Sequence, residues 1–283
     1  MRPVPEHRRN KAATSSMLTG RDRVVRAICH EEPDRVPVFE PYGVLPPTAD
    51  ELLGRPCVAT SNIRGARLFA SRGPHRYSAV IRRDWHDLVR TLGFDAAPLA
   101  PGGHYTPKAT PRMLGRYAWS VGDSVYRHHP DTMVTVEVDS KIRREGIPAL
   151  EEHVKGMEEE TDDEIEEAVM DSQIDEELSK TWQRLGVLIY AGSGTVPVGA
   201  SWIAIFLKCF HLNPRLIRRY LRQRTRRAVI MGKVAADLGV ELMFIGGDIA
   251  GNDGPMISPE KYRRFLLPEM KAQADAMHRR GIF

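Results

Sequence analysis

The sequence predicts an α/β protein built on a parallel sheet covered by helices. Three observations lead there. Short apolar runs at 36–39, 93–97, 187–191 and 242–245 alternate with longer stretches of helical periodicity. Gly186 and Gly239 each stand between a helical stretch and the apolar run that follows it. One unit is also complete in outline: 241–245 reads as a buried strand, 246–254 as a polar loop, and Ser258-Pro259 as the cap and first position of a helix. In such folds functional side chains sit on loops at the carboxyl ends of strands. Doubly wound and barrel arrangements both fit the alternation.

The elements follow in order. Thr19 opens a short helix with Asp22 three residues on, and Val24, Val25, Ala27 and Ile28 form its apolar side. Pro33 ends it, and 36–39 form a first strand with an irregular start at Pro37. Glu40 and Tyr42 follow at its carboxyl end. Residues 41–73 are rich in Pro and Gly, with one helix expected at about 48–53. A helix at 85–92 leads into a second strand at 93–97. Segments 117–128 and 132–138 alternate in the manner of a hairpin, as part of an excursion spanning about 102–160.

Thr161 to Glu164 is a capping box, and Ile165, Val169, Leu178, Trp182 and Leu185 recur at near-helical spacing up to Gly186. The third strand, 187–191, runs into Gly192-Ser-Gly-Thr195, which reads as a tight turn because it lacks the spacing and lysine of a nucleotide-binding loop. A buried helix is expected at 202–211. Asn213-Pro214 caps a basic helix with an inner stripe of Leu216, Ile217, Tyr220, Leu221, Ala228, Met231 and Val234. The fourth strand is 242–245. A last helix runs from 259 to about 279 with a kink near Pro268, and 281–283 read as the start of a fifth strand.

Composition sets the class. Charged residues are 28% and hydrophobic ones 42%, ordinary for a water-exposed globular chain. No apolar run approaches the roughly 20 residues of a membrane helix. Residues 1–17 read as a disordered basic tail ahead of one domain at 18–283. Cys29, Cys57 and Cys209 are scattered without metal-ligand spacing, so reduced thiols and a cytoplasmic location are expected. The net charge of +4 hides a segregation: 145–180 holds 15 acids against 2 bases, and 215–233 holds 8 bases and no acid. These read as two solvated helix faces. Only Tyr220 is interleaved with the arginines, so no nucleic-acid partner is expected. His128 and His129 are adjacent on a strand and point to opposite faces, which disfavours a metal pair.

Two separated motifs carry a family likeness. Leu18-Thr-Gly-Arg-Asp-Arg-Val-Val-Arg-Ala27 with Glu31-Glu-Pro-Asp-Arg-Val-Pro-Val38 resembles the amino-terminal signature of the uroporphyrinogen decarboxylase superfamily. It is most similar to the branch of corrinoid and methylthiol methyltransferases. Gly247-Asp-Ile-Ala250, Gly254-Pro-Met-Ile-Ser-Pro-Glu260 and Phe265-Leu-Leu-Pro268 resemble the later signature. The resemblance implies a (β/α)8 TIM barrel with its site at the carboxyl-end face. Here that barrel is expected to be incomplete, holding the first four to five βα units and the hairpin excursion, with its C-terminal part missing.

The resemblance implies Asp248 and Glu40 as catalytic residues and Tyr42, Ser193 and Asn252 as substrate-binding residues. Gly247 stands where the family usually has a second acid beside Asp248. The decarboxylases' arginine-rich loop after the first strand is replaced by Pro41-Tyr-Gly-Val-Leu-Pro46. Methyl transfer between cobalamin and a thiol or similar acceptor is therefore the implied function. The alternatives are decarboxylation of uroporphyrinogen or a related tetrapyrrole in porphyrin biosynthesis, and an inactive fragment or non-catalytic partner of a corrinoid protein. Zinc and a corrinoid partner are expected for a full-length relative, whose zinc is bound by a His-x-Cys on the strand after the Pro259 helix and by a later Cys. None of the three cysteines here matches those positions, so no metal ligand is assigned in this chain. A small-molecule substrate and a homo-oligomer are also expected.

Overall fold

The computed structural model describes residues 17–41, 43–99, 105–173 and 175–283. The expected tail, apart from Met17, and Tyr42 lie outside the described residues. Among the described residues no helix is long and apolar enough to cross a membrane.

The chain begins with α1 (Gly20–Ile28), closed by the expected capping box between Thr19 and Asp22. Residues 36–39 form no ladder: Pro37 has no amide hydrogen to give, and the Val38 amide is taken by the Asp95 carboxylate at 2.8 Å. α2 (Pro46–Leu53) follows, then α3 (Asn62–Leu92). The glycine- and proline-rich reading of 41–73 is corrected here. Helix begins at Asn62 and is interrupted only at Gly73, whose φ of 73° and ψ of 178° separate two helical segments. A left-handed φ favours glycine, and Pro74 then opens the second segment with its pre-set φ.

β1 (Ala96–Pro98) precedes an antiparallel sheet of β2 (Arg112–Gly115), β3 (Ala118–Val121), β4 (Ser124–His129) and β5 (Val134–Asp139) in sequential order. The expected hairpin is thus a four-stranded meander, with an extra turn at Gly122-Asp123. It rests on α3 through buried Trp119, packed with Ile63 and Ala66. Next come α4 (Lys141–Glu145), α5 (Ile147–Glu159), α6 (Asp162–Gln173) and α7 (Glu176–Leu185). β6 (Leu188–Gly194), α8 (Ile203–Leu212), α9 (Pro214–Asp237) and β7 (Leu242–Gly246) complete the main layer. A two-residue-stranded hairpin, β8 (Ala250–Gly251) and β9 (Gly254–Pro255), leads to α10 (Pro259–Lys261) and α11 (Leu267–His278). Between the last two, Tyr262–Leu266 widens into a π turn. The expected kink at Pro268 takes this form, since proline cannot donate to the carbonyl four residues back.

The main sheet is β1-β6-β7, parallel throughout. Residues 36–39 lie beside β1, with the Asp95 amide donating to Val38 O at 2.7 Å. At β7 the Phe283 amide donates to Glu241 O, and Met243 donates to Phe283 O, both at 2.9 Å. Five strand positions therefore share one layer. The expected α/β class with a parallel sheet holds, and the arrangement is a partial TIM-barrel-like one. The sheet does not close among the described residues.

A buried carboxylate organises the start. Asp95 is 1% exposed. It accepts a forked pair from Arg35 at 2.7 and 2.9 Å, a bond from Arg23 at 3.2 Å and one from the Val38 amide at 2.8 Å. Arg23 also holds Asp34 at 2.6 and 3.0 Å. Gly20 passes so close that an added Cβ would lie 2.9 Å from the Asp95 Cα. The Thr-Gly-Arg-Asp-Arg and Pro-Asp-Arg-Val-Pro motifs therefore meet on one oxygen pair.

The charge segregation also closes on itself, which corrects its reading as two separate solvated faces. α9 lies against α5 and α6. Arg219 pairs with Glu158 at 2.7 Å, Arg226 with Asp162 at 2.5 Å and Lys233 with Glu166 at 2.8 Å. Such rim pairs contribute little one by one, but the matched stripes set the register between helices.

Replacing Asp95 by Ala strands two guanidinium groups and an amide, and should cost about 3–5 kcal/mol in urea unfolding. Gly20→Ala should destabilise as well, through steric conflict with backbone. The hydrogen bond from Arg64 holds the Asp50 carboxyl below its usual range, and the bond from Arg219 does the same for Glu158. Both contribute stability that is present above the unfolded carboxylate values and is lost as pH falls through the lower folded ones. Acid titration of the unfolding free energy should show the decline below about pH 4, and Arg64→Gln should flatten the Asp50 share.

Candidate functional site

Strand alternation decides which side chains reach the mouth of the sheet. Leu188 and Tyr190 share a face with Ala96, Leu242 and Phe39, over Val24 of α1. Ile189 and Ala191 take the other face with Ala97 and Met243, in the core formed with the helices. Gly192 pairs with Phe244 and Ser193 with Ile245. The first pair therefore belongs to the inner face and the second to the helix-facing side. Trp182 of α7 fastens this outer layer by donating its buried indole N–H to Pro98 O at 3.0 Å.

An aromatic triad lines the inner face. Phe39 and Tyr190 have ring centroids 5.8 Å apart, Tyr190 and Phe244 meet edge-on at 5.5 Å, and Phe39 lies 6.2 Å from Phe244. Phe244 is 38% exposed, so it presents an apolar floor to the mouth. The Tyr190 hydroxyl donates to the Glu40 backbone carbonyl at 3.1 Å. Burial pushes the Tyr190 phenol far above its usual range, and the negative charge of Glu40 adds to the effect. Glu40 is thus fixed by its backbone at the rim, half-buried, directly after Phe39.

The other expected residues fall differently. Asp248 is exposed in the loop after β7, beyond Gly246-Gly247. Gly246 anchors that loop by accepting the Thr195 amide at 3.1 Å. Thr195 and Thr225 both receive the buried Gln273 amide of α11, at 3.3 and 3.1 Å. Asn252 is exposed at the turn of the β8–β9 hairpin, with Asp253 beside it. Ser193 faces the helical layer, away from the aromatic triad. Tyr42 lies outside the described residues. Glu40 follows Phe39, and Asp248 lies beyond the β7 strand that carries Phe244, so each stands on a loop after a strand of the aromatic cluster, whereas Ser193 lies on the other face.

Tyr190 and Phe244 were not singled out in the sequence. Both lie in apolar runs, and an apolar run does not reveal which of its residues turn inward.

No family model matches the chain, and no curated protein matches it. The fold does have a solved counterpart. A methyltransferase from Methanosarcina mazei superposes with a TM-score of 0.52 at 17% sequence identity, covering 92% of this chain and 67% of the methyltransferase. At that identity the likeness concerns the fold alone. It matches the partial barrel already visible in the β1-β6-β7 layer.

The described residues do not fit a zinc site. Among them no three His, Cys, Asp or Glu side chains gather around one point. Cys57 and Cys209 are buried, and burial pushes both thiols up, opposite to what a thiolate ligand requires. His128 is buried against the Thr135 hydroxyl at 3.2 Å while His129 is exposed.

Spectroscopic titration provides a check on the inner face. Native protein should retain un-ionised tyrosine at about pH 11, well above the ordinary phenol value, and unfolding should release it. Tyr190→Phe should remove part of that hidden population.

Proposed function

We propose that this chain forms the first strands of a (β/α)8 methyltransferase barrel of the corrinoid-linked kind, with its chemistry at the mouth above Phe39, Tyr190 and Phe244. The observation that carries this reading is the apolar inner face of Phe39, Tyr190 and Phe244, with Glu40 and Asp248 on the loops that follow its strands. Charged groups above an apolar surface suit a small polar acceptor that must be oriented and relieved of a proton. The fold of the Methanosarcina mazei methyltransferase and the two sequence motifs support the same reading.

In this proposal Asp248 accepts a proton or hydrogen bond from the acceptor. Glu40, held by Tyr190, orients it, Asn252 contributes from the β8–β9 turn, and Tyr42 is a further substrate-binding candidate by its place in the sequence. A separate corrinoid protein would bring the methyl group to the mouth. No step is assigned to zinc, because the described cysteines and histidines do not converge.

Methyl transfer from methylcobalamin to a thiol, followed by loss of the cobalt–carbon absorbance, tests the proposal. Asp248→Asn should lower the rate about 10²-fold or more, as removal of a general base does. Glu40→Gln should lower it less and raise KM. Turnover of uroporphyrinogen in place of methyl transfer, or full activity in both variants, would sink the reading.

A further inference from the structure

β6 carries a second concavity on its outer side. About 230 Å3 of space lies at the carboxyl end of the strand, between α6 and α9. Ser193, Arg224 and Arg227 supply its polar lining, and Val169, Ala228 and Met231 its apolar walls. Its side chains come from α6, α9 and the helix-facing Ser193, and neither Glu40 nor Asp248 lines it.

The two arginines differ from the closely paired cations on α9. Arg219, Arg226 and Lys233 each meet a carboxylate at 2.8 Å or closer. Arg227 reaches Glu160 only at 3.6 Å. Half-buried Arg224 donates Nε and Nη2 to Gly194 O, at 3.1 and 2.5 Å. That acceptor is a neutral carbonyl, and among the described residues Arg224 forms no ion pair. Nη1 is uncommitted by these two bonds, and the Ser193 hydroxyl has no hydrogen-bond partner among the described residues.

A partly desolvated guanidinium without a counter-charge is unfavourable. Its field is felt nearby: burial holds the His153 imidazole low, with Arg224 the next cause. Apolar walls reduce the local dielectric and strengthen the pull on an anion. Guanidinium groups also match the geometry of phosphate and carboxylate oxygens.

We propose that this outer concavity is a binding site for a small oxyanion, held by the Arg224 and Arg227 guanidinium groups and the Ser193 hydroxyl. The anion completes the charge complement that α5 and α6 supply elsewhere along α9. The site does not depend on the methyl-transfer reading.

Calorimetric titration of the full chain with inorganic phosphate, and separately with malonate, at constant ionic strength tests this, with chloride as the control. Saturable binding of phosphate or malonate is expected. Arg227→Gln should weaken it about tenfold or more, the loss typical of one charge-assisted hydrogen bond. Ser193→Ala should weaken it by a smaller factor. Binding of phosphate alone would assign a phosphoryl ligand, and binding of malonate alone a carboxylate. Arg224→Lys keeps the charge but loses the fork, so reduced affinity there supports the geometry. Arg227→Gln leaves the Arg224–Gly194 bonds in place and decides the matter if the Arg224 variant fails to fold. Neither anion binding beyond the chloride control, or unchanged affinity in Arg227→Gln, would overturn the proposal.

Discussion

The Asp95 carboxylate is the contact on which the rest of the layer depends. It sits at the entry to β1, excluded from water, and gathers Arg23 from α1, Arg35 from the following loop and the Val38 amide. A buried charge is stable only when its lone pairs are filled, and here they are filled from three different segments. The consequence reaches the mouth. Fixing Val38 fixes Phe39 one residue on, and Phe39 packs on Tyr190 and Phe244. The rim position of Glu40 is therefore set from below by electrostatics and from the side by aromatic packing.

Period-two alternation along β6 then separates two environments within four residues. Tyr190 and Gly192 belong to the inner face, while Ala191 and Ser193 belong to the helical layer. Glycine at 192 leaves the inner face open just above the tyrosine. A serine one position later brings a hydroxyl to the outer concavity beside Arg224. One strand end thus serves an apolar-floored mouth on one side and a cationic niche on the other.

Charge works at longer range in the helical layer. The acidic stretch and the basic stretch are far apart along the chain but adjacent in space, and their pairs run along α9 from Arg219 to Lys233. These pairs are solvent-exposed, so salt screens each of them, and their effect lies in the matching of two stripes. The same arrangement leaves Arg224 without a carboxylate among the described residues, turned to the Gly194 carbonyl instead.

The sequence by itself determined the alternation of strands and helices, the caps at Thr19, Thr161, Asn213 and Ser258, and the strand–loop–helix unit around Asp248. These features are local, since hydrogen-bonding geometry and hydrophobic period act over a few residues. The helix from Asn62 and the four-stranded meander were decided by packing against distant surfaces, which overrides weak local preference. Only the tertiary structure decided that Ser193 turns outward and Tyr190 inward, because both faces of a buried strand read as apolar. Only it showed that the two charged stretches neutralise each other, because sequence separation carries no information about which faces meet.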